Sequence, residues 1–257
     1  MRIQRLVLLP LLVAGASGCA HGPSGRDRRG AEIHSDLGLE ALRAGRAQDA
    51  LREFDTAVGL EPDLPEANLG RGLVLEYAFG KDAEAEAAYR RAIAVKPKYS
   101  EAHNDLGQLL AREGRLDEAL REFNEALDNT FYMEPWVARC NKGQALVRAG
   151  RRDEGVEELK VCLRIAPAYC QGRREFGRLL LGEGKPAEAV EQLEAYAQSC
   201  AKLPDAHLQL GLALMRTGDL ERARAQLQQC VDLGGADPLA DECRHELGLL
   251  REPAGGR

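Results

Sequence analysis

The stretch LGLEALRAGRAQDALREF, residues 37–54, decides the fold. Leu37, Gly38 and Ala41 fall on one face of a helix, and Gly45 stands where a left-handed C-cap stops it. A second amphipathic helix is expected from Ala47 to Leu60, with Ala50, Phe54 and Ala57 at helical spacing. Pro62 then ends it by removing a backbone donor.

Outward from this unit the same arrangement recurs. Gly38, Gly72, Gly107, Gly143, Gly177 and Gly211 follow one another at intervals of 34 to 36 residues. A small residue comes next in each unit: Ala50, Ala85, Ala119, Gly155, Ala189 and Ala223. Four positions on stands a ring or a leucine: Phe54, Tyr89, Phe123, Leu159, Leu193 and Leu227. The stop recurs at Gly80, Gly114, Gly150, Gly184 and Gly218, and the closing proline at Pro97 and Pro167. Where the two helices cross, Gly38 is expected to face Ala50, because only small side chains permit so close an approach. Neither helix buries its apolar face alone, so the units must stack.

The pattern resembles the tetratricopeptide repeat, whose period is about 34 residues. It covers roughly residues 31–237 in six units. One extra residue falls near Tyr77–Lys81 and two more around Phe131–Pro135, while Phe131, Ala201 and Gly235 replace the closing proline. The resemblance implies an all-α, right-handed solenoid of six tetratricopeptide helix pairs plus a C-terminal capping helix, Pro238 to Arg251. Such arrays bind other proteins more often than they catalyse.

The first residues read as an address. Arg2 and Arg5 precede an apolar run from Leu6 to Ala14 and then Ala16-Ser17-Gly18-Cys19, the plan of a signal peptide over 1–18. The run is too short for a spanning helix, which needs about 20 apolar residues. The segment resembles the bacterial lipobox, which implies lipidation of Cys19 and membrane attachment through that lipid. Ala20 follows where an Asp signals inner-membrane retention, so by analogy the expected location is the inner leaflet of the outer membrane, facing the periplasm. Residues 19–30 are expected to form a flexible tether, 31–251 the repeat domain with its cap, and 252–257 a disordered tail.

Lys and Arg number 35 against 41 Asp and Glu, a net charge of −6 that becomes −8 once Arg2 and Arg5 leave with the leader. An acidic chain with 5% aromatic residues and no basic stripe does not suit nucleic acid. Six cysteines remain after Cys19, all in the C-terminal half, and an even number in an exported chain favours disulfides. Cys230 in the last repeat and Cys243 in the capping helix are the best pair; the connectivity of Cys140, Cys162, Cys170 and Cys200 stays open. No CxxC, clustered histidine, nucleophile motif or phosphate-binding loop appears, so no enzyme, metal or cofactor is expected. His34, His103 and His207 each lie four residues before a repeat glycine, a structural position.

In stacked helix pairs of this kind the first helices line a concave groove. Counting from each glycine places Leu39, Leu42, Leu69, Leu73 and Tyr77 on it in the first two repeats. Asn104, Gln108, Gln144, Arg148, Arg174 and Arg178 give a more polar lining further on. Either neighbouring helices or the tether cover these apolar positions, or, since contiguous exposed apolar surface marks an interface, the groove is the partner site; the second is the reading adopted.

The third and fourth repeats carry more. Asn104-Asp105-Leu106-Gly107-Gln108-Leu109-Leu110, then Tyr132, Pro135, Asn141 and Gly143, resemble the type IV pilus biogenesis and stability lipoproteins of the PilF/PilW type. The lipidated social-motility proteins of the Tgl kind belong to the same functional group. Cysteines that some relatives carry stand here as Ala111 and Ala145, so their disulfide placement does not transfer. The resemblance implies a pilotin-like role, assisting type IV pilus secretin subunits to assemble in the outer membrane. The alternative is a periplasmic adaptor that scaffolds peptidoglycan enzymes or other envelope proteins.

Overall fold

The computed structural model describes residues 25–250. Within them the chain forms thirteen helices and no strand. The first three pairs are α1 (Gly25–Arg43) with α2 (Ala47–Leu60), α3 (Pro65–Phe79) with α4 (Asp82–Val95), and α5 (Ser100–Arg112) with α6 (Leu116–Asp128). Then come α7 (Pro135–Arg148) with α8 (Arg152–Ile165), α9 (Cys170–Gly182) with α10 (Pro186–Ser199), and α11 (Pro204–Thr217) with α12 (Leu220–Gly234). Helix α13 (Pro238–Leu249) packs on α12 and covers its end of the stack. Helix α1 starts earlier than the expected tether allows, since residues 25–30 form its first turns. The leader, Cys19 and the tail at 252–257 lie outside the described residues.

Each first helix stops for a local reason. All six stop glycines have positive φ, from 63° to 82°, a conformation that costs glycine little and other residues much. After Gly45 the Arg46 amide donates to the Ala41 carbonyl, five residues back, and after Gly114 the Arg115 amide donates to Leu110. In the second repeat the Lys81 amide reaches Leu75 instead, six residues back, so the extra residue is absorbed in the last turn of α3.

At the crossing of the paired helices the nearest side chain to Gly38 is the Phe54 ring: a methyl group on Gly38 would come within 2.8 Å of it. Gly72 lies under Tyr89 and Gly107 under Phe123 in the same way, and all three rings are fully buried. In the fourth repeat, where both residues are glycine, the backbones come closest, with the Gly155 carbonyl 2.9 Å from where a Gly143 Cβ would sit. The glycine makes room for the side chain that reaches across from the second helix, a ring in the first three repeats and Leu159, Leu193 or Leu227 in the last three.

Burial is divided along the stack. One large cluster joins α3 to α7 through Leu75, Tyr89, Leu106, Leu109 and Phe123; another runs from α7 to α12 through Leu159, Phe176, Leu193 and Leu214. Helix α7 belongs to both, giving Leu146 to the first and Cys140 to the second. Each repeat thus relies on its neighbours for burial.

Candidate functional site

The position four residues before each repeat glycine ties the first helix to its surroundings. Side chains there reach back to the carbonyl six residues earlier: Asn68 Nδ2 to Pro62 (3.0 Å), His103 Nε2 to Pro97 (3.1 Å), Arg173 Nε to Pro167 (3.0 Å) and His207 Nε2 to Ala201 (2.9 Å). Most also reach across to the second helix 19 residues on, His34 to Glu53, His103 to Glu122, Arg139 to Glu158 and His207 to Gln226. Both partners of His103 are oxygens, an arrangement that favours the protonated imidazole, whose two ring nitrogens both donate. Burial works against that charge, but Glu122 and the Pro97 carbonyl outweigh it and hold the pKa above the ordinary histidine value. These histidines bind helices together.

The motif residues of the third and fourth repeats form one unit. Asn141 Nδ2 on α7 donates to Asn104 Oδ1 on α5 at 2.9 Å, and Asn104 Nδ2 donates to Asp105 Oδ1 at 3.1 Å. Gln108 Nε2 approaches the same oxygen at 3.5 Å. Burial, with Glu76 and Glu101 close by, pushes the Asp105 carboxyl up to about 7 although the Asn104 bond works in the opposite sense. The inserted loop is pinned by Asn129, whose Nδ2 donates to Ser100 Oγ at 3.0 Å and whose Oδ1 accepts from the Phe131 amide at 3.0 Å. Phe131 and Met133 on that loop are exposed.

The expected apolar groove is partly covered by packing within the stack. Leu69 is buried among Leu75, Tyr89 and Leu106, and Leu73 is half-buried against the same cluster. Leu39 and Leu42 pack on Ala41, Ala50, Phe54 and Val74, while Asn104 is buried within the network above. The next repeat closes over these positions. Of the eleven groove residues read from the sequence, Leu69 and Asn104 are buried, Tyr77, Arg148 and Arg178 stand open, and Leu39, Leu42, Leu73, Gln108, Gln144 and Arg174 are half-buried.

What the first helices do form is a row of three connected recesses. The first lies between Tyr77, Gln108, Arg112, Gln144 and Gln171; it shares Gln144 and Arg148 with the second, which is walled by Glu175 and Leu179. Arg178 leads from there into a third, lined by Gln209, Met215, Arg216 and Glu246. Glu76, buried beneath this row, accepts from Tyr89 Oη at 2.7 Å and from Arg112 at 2.6 Å. A separate crevice beside α6 and α8 carries charges largely paired with one another: Arg139 and Lys142 both hold Glu158, and Arg151 holds Glu154. Among the described residues no group of His, Cys, Asp or Glu is placed to hold a metal ion.

The cysteines fall at helix contacts. The structure pairs Cys140 of α7 with Cys162 of α8, Cys170 of α9 with Cys200 after α10, and Cys230 of α12 with Cys243 of α13. Their Cα separations are 5.5, 6.2 and 6.2 Å, within the span of a disulfide.

The tetratricopeptide repeat family profile matches residues 35–93, 75–130 and 174–238, more than half of the chain. The chain belongs to the tetratricopeptide repeat family. Among characterised relatives it is 27% identical over 215 residues to mouse DnaJ homolog subfamily C member 3, a match covering 79% of this chain but 42% of that protein's length. It is 24% identical over 202 residues to the type IV pilus assembly protein PilF of Pseudomonas aeruginosa, covering 76% of this chain and 79% of PilF. Among solved tetratricopeptide structures, PilW, described as a widely conserved type IV pilus biogenesis factor, superposes with a TM-score of 0.73 at 22% identity over 82% of this chain and 97% of PilW. The Pseudomonas aeruginosa PilF structure gives 0.70 at 22% identity, over 87% and 100%. The fold is theirs.

Proposed function

We propose that this chain is a lipid-anchored assembly factor of type IV pilus biogenesis that acts as a pilotin for the secretin. The observation that carries the reading is the sequence relationship to PilF, which runs through most of both chains. The Asn104–Asn141 bridge adds to it, because the residues resembling the pilus lipoproteins meet as one unit and set how the third and fourth repeats join. Lipidation of Cys19 places the solenoid on the inner leaflet of the outer membrane, and a short tether there raises the local concentration of the module for its partner. In that exported setting the three cysteine pairs are oxidised. Recognition is the whole chemistry: the module holds an unassembled subunit until it joins the ring.

Replacing Cys19 with Ala in the chromosomal gene tests this. Loss of surface pili and of detergent-resistant secretin multimers, with secretin monomer still made, is the expected result. Normal multimers and pili in a strain lacking the whole gene would overturn it.

A further inference from the structure

The two ends of the stack differ. Helix α13 covers the C-terminal end, but no helix precedes α1 among the described residues. In later repeats the position five residues before the repeat glycine is pressed against the preceding helix pair. Ala67, Ala102, Ala138 and Ala206 are fully buried there, and a methyl group on Gly172 would come within 2.6 Å of Cys140 Sγ on α7. The residue just before the glycine is also buried in three of these repeats, as Leu106, Phe176 and Leu210. In the first repeat the two positions hold Ile33 and Leu37, which are 54% and 43% exposed. An isoleucine where the other repeats carry alanine or glycine does not suit a further pair of the same kind packed in front of it. At about 3.6 residues per turn, Arg26, Arg29, Asp36 and Glu40 share this exposed stripe, and none of them forms an ion pair among the described residues.

We propose that this face pairs with the same face of a second copy of the chain, α1 antiparallel to α1, about a two-fold axis at Ile33. Along the stripe the order is basic, apolar, acidic, so the two-fold reversal brings unlike charges together. Arg26 comes level with Glu40 of the second copy and Arg29 with its Asp36 and Leu37, while the two Ile33 side chains meet on the axis. A phospholipid surface suits the stripe less well, because Asp36 and Glu40 would be turned toward the anionic headgroups that attract Arg26 and Arg29. Residues 19–24 and 252–257 carry no apolar side chain larger than proline with which to cover Ile33 and Leu37. The stripe is short, so the area it buries falls below the roughly 800 Å² per partner of a standard interface, and the pairing is weak in dilute solution. Two copies anchored to one membrane, as in the function proposed above, meet at a much higher local concentration. The pairing surface itself is independent of the pilus assignment.

The test uses the purified mature chain with Cys19→Ser, in which Ile33→Cys supplies a thiol outside the three cysteine pairs, and a short bismaleimide cross-linker. With Ile33 on the axis the two thiols face each other, and covalent dimer should form in a yield about tenfold above that of Ala87→Cys, which is exposed on α4. Adding Arg29→Glu sets like charge against Asp36 on both sides of the axis and should cut the yield about tenfold; adding Asp36→Arg to that variant should restore it. The replaced side chains are all exposed, and an unchanged circular dichroism spectrum and thermal midpoint confirm that the fold is kept. Equal yields from Ile33→Cys and Ala87→Cys, or a yield that Arg29→Glu leaves unchanged, overturn the proposal. So does shielding of the Ile33→Cys thiol from a monofunctional maleimide by phosphatidylglycerol vesicles without dimer, which makes the face a lipid contact. Pili and secretin multimers are scored separately in cells, so loss of the pilus assignment leaves the cross-linking result to stand or fall alone.

Discussion

Asp105 is a carboxyl group in a poor place to carry charge, and replacing it with Asn should stabilise the protein in a pH-dependent way. The side chain is largely shielded, its close donors are the amides of Asn104 and Gln108, and Glu76 and Glu101 lie near enough to raise it further. In the unfolded chain it titrates near 3.9; in the fold it is pushed up to about 7. A raised folded-state value means that the stability contributed by the neutral acid is fully present below about pH 4 and is lost as pH rises through 7. Three units at about 1.4 kcal/mol each set a ceiling of about 4 kcal/mol, and the remaining contact with water lowers the expectation to about 2–3 kcal/mol. Asn fits the same space, keeps an oxygen for Asn104 Nδ2 and does not titrate. Urea denaturation of wild type and Asp105→Asn should therefore give similar stabilities near pH 4.5 and diverge up to pH 8, with Asn the more stable. A carboxyl carbon resonance titrating near 7 in the wild type is the direct check. A stability difference that stays flat across this range, or a resonance titrating below 5, refutes the reasoning.

Three further expectations follow from other contacts. His103→Gln should be least stable relative to wild type below about pH 6.5 and converge on it as pH rises through the raised folded value, because the charged imidazole favours the fold only while protonated; denaturation at pH 5.5 and 8.5 reads the difference. Phe123→Ala empties the space over Gly107 and should cost about 3–5 kcal/mol, seen as a lower denaturation midpoint with helical content retained in the remaining repeats. Replacing Cys230 and Cys243 by Ser releases the capping helix and should cost about 2–4 kcal/mol, and non-reduced peptide mapping of the wild type should find that pair linked; free thiols at both positions would refute the pairing.

Much of the fold was legible because it depends on one-dimensional signals. A helix stop needs a residue tolerant of positive φ, and the six stop glycines announce themselves at fixed spacing. The partner of Gly38 was not legible in the same way: Ala50 and Phe54 lie on one face of α2, and which of them covers the glycine depends on how far a ring projects across the crossing. A signal was nonetheless present, since a ring or a leucine (Phe54, Tyr89, Phe123, Leu159, Leu193, Leu227) stands four residues after every small residue.

The binding face shows the same division more sharply. Counting positions placed Leu69 and Leu73 in the groove, but a helix in a stack has three environments, and the position facing the next repeat is separated from the concave one by a single step around the helix. Leucine at such a boundary is drawn under the neighbouring helix, because burying it there removes apolar area from water at about 25 cal/mol per Å². Arginine and glutamine at the equivalent boundary are held out by the cost of desolvating them. Of the apolar residues expected on the docking surface, Leu69 is drawn fully into the stack while Leu39, Leu42 and Leu73 stay half-buried, and Tyr77, Arg148 and Arg178 are what the solenoid leaves most open along this face.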